Sequence, residues 1–163
     1  MVWVVSPTVD RSAQELHPSM HRSKKRTGDL AIEIDLEKAY DNVRKGFLVA
    51  PPHRTTRGPL SPYLFVICME KLSLAISGEV NARRWIPIKA SRGGPGISHL
   101  LFADDVLFFC KATSSQVHLA KDMLDRFVAA SGLKVNAAKS RAFSSVRITR
   151  GCKGHLAASL GFD

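Results

Sequence analysis

The stretch Ser98-His99-Leu100-Leu101-Phe102-Ala103-Asp104-Asp105-Val106-Leu107-Phe108-Phe109-Cys110 decides how this chain is read. Two adjacent carboxylates stand between two strongly apolar runs, the pattern of a buried β-hairpin with its acids at the tip. Held side by side in a partly dry setting, Asp104 and Asp105 disfavour each other's charged form, and a bound divalent cation relieves that repulsion. A plain solvated tip is the competing reading, because Asp is a common turn former.

Upstream, Leu30, Ile32, Ile34 and Leu36 alternate with Ala31, Glu33 and Asp35. The aliphatics therefore share one face of a strand and the acids the other. From Leu36 the alternation gives way to helix formers, so Asp35 is expected where a strand hands over to a helix. Two roles stay open for it: an N-cap that satisfies free helix amides, or a metal carboxylate at a strand end. Residues 46–59 show no periodicity and read as a loop or junction. Leu60-Ser61-Pro62-Tyr63 opens the clearest helix, with Ser61 suited to the N-cap, Pro62 to the first helical position and Gly78 to the stop. Leu64, Cys68, Leu72 and Ala75 recur at helical spacing and are expected to pack on the core.

Trp85-Ile86-Pro87-Ile88-Lys89 reads as a short edge strand and Gly93-Gly94-Pro95-Gly96 as a turn. Ser114 or Ser115 suits the cap of a second helix, whose stripe Val117, Ala120, Leu124, Phe127 and Val128 ends at Gly132. Leu133-Lys134-Val135-Asn136 returns as a short strand. The order strand, helix, helix, hairpin, helix, strand predicts an α+β fold, a sheet with helices on one face. A basic lead-in over residues 1–28 and a basic tail over 146–163 flank a body at 29–145.

At 163 residues and 45% hydrophobic content the chain suffices for one domain with a core. Its formal charge of +10, with 24 Lys plus Arg, points to a polyanionic partner, nucleic acid first. From Lys134 onward six basic residues face the single acid Asp163. Three dispersed cysteines, Cys68, Cys110 and Cys152, argue for a reducing compartment and against a disulfide framework or a zinc cluster. The apolar start lacks a basic n-region, and no run approaches a membrane span, so a soluble intracellular protein is expected, in nucleus or cytoplasm.

These residues together resemble the palm of reverse transcriptases, specifically those of plant non-LTR retrotransposons of the LINE type. Ala31-Ile32-Glu33-Ile34-Asp35-Leu36-Glu37-Lys38-Ala39-Tyr40-Asp41 is similar to the family's first carboxylate motif. Pro59-Leu60-Ser61-Pro62-Tyr63-Leu64-Phe65 resembles the end of its template-contacting helix motif, and Phe102-Ala103-Asp104-Asp105 its paired-aspartate box. Ser131-Gly132-Leu133-Lys134-Val135-Asn136 with Lys139-Ser140 is similar to the segment that follows. The resemblance implies a palm-like antiparallel sheet and RNA-directed DNA polymerase chemistry on an RNA template, a DNA primer and deoxynucleotides. It implies two Mg2+ ions, with Asp35 and Asp104 as principal ligands and Asp105 in support. Tyr40 matches the position whose ring lies under the nucleotide sugar, against the alternative of a core aromatic on a helix. Lys139 matches a candidate acid for the leaving diphosphate, against a plain phosphate contact or a solvated lysine.

The chain also departs from that family. Only 16 residues separate Asp41 from Gly58, where the family has a much longer connection. Thr56-Arg57-Gly58-Pro59 stands where the family reads Arg-Gln-Gly-Asp-Pro. These departures imply a shortened, internally deleted palm, and the chain is expected to have no room for fingers before residue 30 or for a thumb. An impaired polymerase, or an inactive remnant that binds nucleic acid nonspecifically, is then expected.

Overall fold

The computed structural model describes residues 28–37, 61–89, 91 and 93–145. In chain order the elements are β1 (Asp29–Glu37), α1 (Ser61–Asn81), β2 (Ile88–Lys89), β3 (Gly96–Ile97), β4 (His99–Phe102), β5 (Asp105–Lys111), α2 (Ser114–Ser131), β6 (Lys134–Val135) and β7 (Arg141–Ser144). β5 runs antiparallel to β1 from Asp29 opposite Lys111 to Asp35 opposite Asp105. β4 pairs antiparallel with the outer side of β5. Across β1, β6 takes Leu36 and Glu37 while β7 takes residues 30–33, so two short strands share that edge.

Alternation along β1 sets the layers. Leu30, Ile32, Ile34 and Leu36 are at most 2% exposed and pack, with Val106, Phe108 and Cys110, against the two helices. α1 contributes Phe65, Cys68, Met69, Leu72 and Ile76; α2 contributes Val117, Ala120, Met123, Leu124 and Phe127. The predicted α+β arrangement, antiparallel sheet with helices on one face, is what forms. On the other face Ala31 and Phe109 are covered by Ile88 of the small β2–β3 hairpin, and Glu33 and Asp35 lie beyond that cover, half-buried. Cys68 and Cys110 are buried free thiols, pushed by desolvation up to about 11 and about 12, so they pack as small apolar groups.

Several local expectations are corrected. β1 continues two residues past Asp35, so Asp35 lies inside a paired strand and is no N-cap. The helix expected after it falls on residues 38–60, outside the described residues, as does the capping side chain of Ser61. Gly78 does not stop α1, which runs on to Asn81. The helix ends where Arg83 takes a left-handed φ of 58°, while Arg84 N–H donates to Glu79 O and Arg83 N–H to Val80 O, each at 2.9 Å. That is the Schellman arrangement, with arginine where glycine is usual. The buried face of α1 is centred on Phe65, Cys68, Met69, Leu72 and Ile76, and Ala75 is exposed beside it.

The cap of α2 is Thr113 rather than Ser114 or Ser115; its hydroxyl accepts from Gln116 N–H. Gly132 closes the helix at φ 77°, as its position predicts. Trp85 belongs to no strand: it is 1% exposed, donates from Nε1 to Phe109 O at 2.9 Å, and meets the Phe108 ring edge-on at 5.5 Å. Only Ile88 and Lys89 of that segment are extended. β7 is an element beyond those expected from the sequence, and Arg141-Ala142-Phe143-Ser144 alternates in exposure as an edge strand does.

A Cβ added at Gly78 meets nothing within 4 Å. Gly78→Ala therefore removes only backbone freedom from a helix interior, and urea unfolding of the variant is expected to show a gain of about 0.5–1 kcal/mol. A loss would show that α1 needs a glycine there.

Candidate active site

Three chain segments meet at the acidic end of the exposed sheet face. The β4–β5 connection is a two-residue loop, Ala103-Asp104, closed by Phe102 opposite Asp105. Ala103 accepts a positive φ of 50°, which costs an L-residue about 1–2 kcal/mol and is the geometry that so short a hairpin loop demands. The loop is fastened to β1 by Leu36 N–H, which donates to Asp104 O at 3.3 Å. Asp105 then lies directly across from Asp35. In an antiparallel pair such partners project from the same face, so the two carboxylates share one side with Glu33 two residues along.

The third segment is the turn between β6 and β7. It grips the backbone of Asp35 from both groups: Asn136 N–H donates to Asp35 O at 2.9 Å, and Asp35 N–H donates to Ser140 Oγ at 3.2 Å. Ser140 Oγ in turn donates a hydrogen bond to Asn136 O at 2.8 Å, so the clamp is internally satisfied. The same turn brings Lys139 Nζ to 3.9 Å from Asp35 Oδ2. At the far end of the hairpin, His99 is wedged between Ser73 Oγ of α1 (2.7 Å to Nε2) and Ser98 Oγ (2.9 Å to Nδ1). Burial lowers the imidazole pKa, so His99 anchors β4 to the helix layer as a neutral ring.

The electrostatics are those of crowded acids. Burial first, then the negative charges of Asp104, Glu33 and Asp35, push the Asp105 carboxyl above its ordinary range, with Lys139 pulling the other way. Among the described residues no three His, Cys, Asp or Glu side chains converge closely enough to form a ready-made ligand cluster. The donor set is nonetheless hard carboxylate oxygen, and Mg2+ characteristically takes one or two carboxylates and completes its shell with water and substrate phosphates. A divalent cation fits these residues on that chemistry.

The structure brings Asp35, Asp104, Asp105 and Lys139 into one neighbourhood, while Tyr40 lies outside the described residues. Sequence reasoning missed Ser140 and Asn136 as the clamp on Asp35, and Glu33 as a contributor to the field at Asp105. Glu33 had a signal, since it alternates in phase with Asp35; the clamp had none, because it depends on how β6 and β7 share an edge. A groove of about 310 Å3 between α1 and α2, lined by Lys71, Leu72, Glu79, Met123 and Phe127, lies on the helix side of the sheet, away from the acids.

Asp105 binds its proton more tightly when folded, so the stability this confers is full below its ordinary value of 3.8 and is lost as pH rises through the raised one. At pH 7 its ionised form works against the fold. Asp105→Asn is therefore expected to melt at a higher temperature than the unsubstituted chain at pH 7, with the difference closing as pH falls toward 3.8. A lower melting temperature at pH 7 would show that the carboxylate is held by contacts that reward its charge.

Comparison with a known family covers the hairpin side of this site and not β1 with Asp35. A family profile described as reverse transcriptase (RNA-dependent DNA polymerase) matches residues 58–154, which include the hairpin, α2, β6 and β7. An uncharacterized mitochondrial protein of Arabidopsis thaliana is 46% identical over 59 residues, 36% of this chain and 48% of that protein. The chain thus spans about half the length of this relative.

Proposed function

Because the chain belongs to the reverse transcriptase (RNA-dependent DNA polymerase) family, we propose that it carries the metal-binding half of a polymerase palm, of the non-LTR, LINE type and shortened near residues 46–58. The observation that carries this reading is the register placing Asp35 opposite Asp105, with Asp104 beside them at the hairpin tip. The resemblance of both carboxylate motifs supports the same assignment. The proposed bounds are a palm segment at 29–145 between basic flanks at 1–28 and 146–163.

When bound, a pair of Mg2+ ions supplies the positive charge that phosphoryl transfer from a deoxynucleotide to a primer 3'-hydroxyl requires. Asp35 and Asp104 are the principal groups that hold the metal, and Asp105 supports them. The Asn136–Ser140 clamp fixes the backbone of Asp35, and the strained Ala103-Asp104 loop fixes the tip. Such preorganisation matters because small misplacements of reacting groups are costly to rate. Lys139 offers a proton or a phosphate contact at the diphosphate side, and Tyr40 a ring under the nucleotide sugar. The basic edge Lys134, Lys139 and Arg141 serves the RNA template and DNA primer.

Turnover by this chain is weak in the same reading, since Thr56-Arg57-Gly58-Pro59 lacks the Gln and Asp of the loop that aligns template and nucleotide. That departure is also what favours a second reading, an inactive remnant that keeps only nonspecific, salt-sensitive nucleic-acid binding. Primer extension by the purified full chain on an RNA template with Mg2+ separates the two. Slow extension that falls by more than about 100-fold in Asp104→Ala is expected. No extension, together with oligonucleotide binding that Asp104→Ala leaves unchanged, would replace the first reading by the second.

A further inference from the structure

Two lysine–aspartate pairs flank β1, and they differ in kind. Lys111 and Asp29, directly opposite in register, are in close contact with side chains only 16% and 5% exposed, a buried bridge that ties β5 to β1. Lys139 and Asp35 stand 3.9 Å apart, beyond hydrogen-bonding distance, and the lysine side chain is 70% exposed. The first pair is part of the architecture. The second is a charge held near a carboxylate and free to leave.

The position of Lys139 is nevertheless fixed by the fold. Its own N–H donates to Asn136 O at 3.1 Å, within the turn whose Asn136 and Ser140 hold both backbone groups of Asp35. One short turn therefore sets the Asp35 backbone and supplies the positive charge beside it. That charge also opposes the crowding at Asp105. The neighbouring cations on this edge repeat the theme: β6 places Lys134 opposite Glu37, and β7 places Arg141 opposite Glu33. Glu33, Asp35 and Glu37 share one face of β1, and each meets a basic residue from the adjoining edge.

We infer that Lys139 is a resident counter-cation of the carboxylate site, standing at Asp35 when no metal is bound and displaced when a divalent cation arrives. Lys139 thus competes with the metal for Asp35, and its displaced ammonium becomes available to a phosphate. The inference rests on the reading that Asp35, Asp104 and Asp105 hold a divalent cation. An exposed pair of this kind is weak, so the competition is modest.

Direct titration of the full chain with Mn2+, followed by calorimetry or by the loss of free Mn2+ resonance signal, tests this without reference to polymerase activity. Lys139→Met is expected to bind Mn2+ about two- to fivefold more tightly than the unsubstituted chain. Lys139→Arg, which keeps the charge, is expected to match the unsubstituted chain. Unchanged or weaker binding in Lys139→Met, with binding lost in Asp35→Asn and Asp104→Asn, would overturn the inference and leave the carboxylate reading standing. Mn2+ binding that survives both aspartate substitutions, or that neither the unsubstituted chain nor Lys139→Met shows, would overturn both.

Discussion

The antiparallel pairing of β1 with β5 is the constraint on which the rest depends. Side chains alternate along a strand with a period of two, so a slip of one residue would carry Asp35 from the exposed face into the helix layer. The register is secured three ways: by the aliphatics of β1 and β5 buried under the helices, by the Lys111–Asp29 bridge at one end, and by Leu36 N–H on Asp104 O at the other. Packing on one face of the sheet thereby fixes the chemistry on the other. The two helices contribute to a site that they do not touch.

That arrangement sets stability against function. Opposed like charges across a strand pair are unfavourable, yet Asp35 faces Asp105 with Glu33 and Asp104 close by. The hairpin adds backbone strain at Ala103. The buried core and a fully satisfied clamp at Asn136–Ser140 offset these costs, and three basic residues on the β6–β7 edge soften the field. Locally inconsistent residues of this kind concentrate at functional sites, which is why the conflict supports the proposed metal site.

What the sequence made legible follows from period and punctuation. The alternation in residues 30–36 and the two apolar runs around Asp104-Asp105 were enough for β1 and the hairpin. Gly132 announced its helix end because a left-handed C-cap favours glycine. The same rule misplaced the end of α1, where Arg83 carries the positive φ and Gly78 is merely tolerated. Trp85 reads as part of a strand because its neighbours are β-formers, whereas its indole N–H donates to Phe109 O, a partner 24 residues away. The carboxylates were visible as residue types, but the clamp on Asp35 was not. It is made by backbone groups and one serine hydroxyl across 105 residues of sequence, and such contacts leave no local pattern.

On the proposed reading, Asp35, Asp104 and Asp105 form one divalent-cation site held by the β1–β5 register. The most direct measurement is paramagnetic broadening of backbone amide resonances in the full chain on adding substoichiometric Mn2+. Selective loss of the Asp35, Leu36, Asp104 and Asp105 signals, reversed by excess Mg2+, is predicted. Broadening centred elsewhere, or spread evenly over the surface acids, would contradict it.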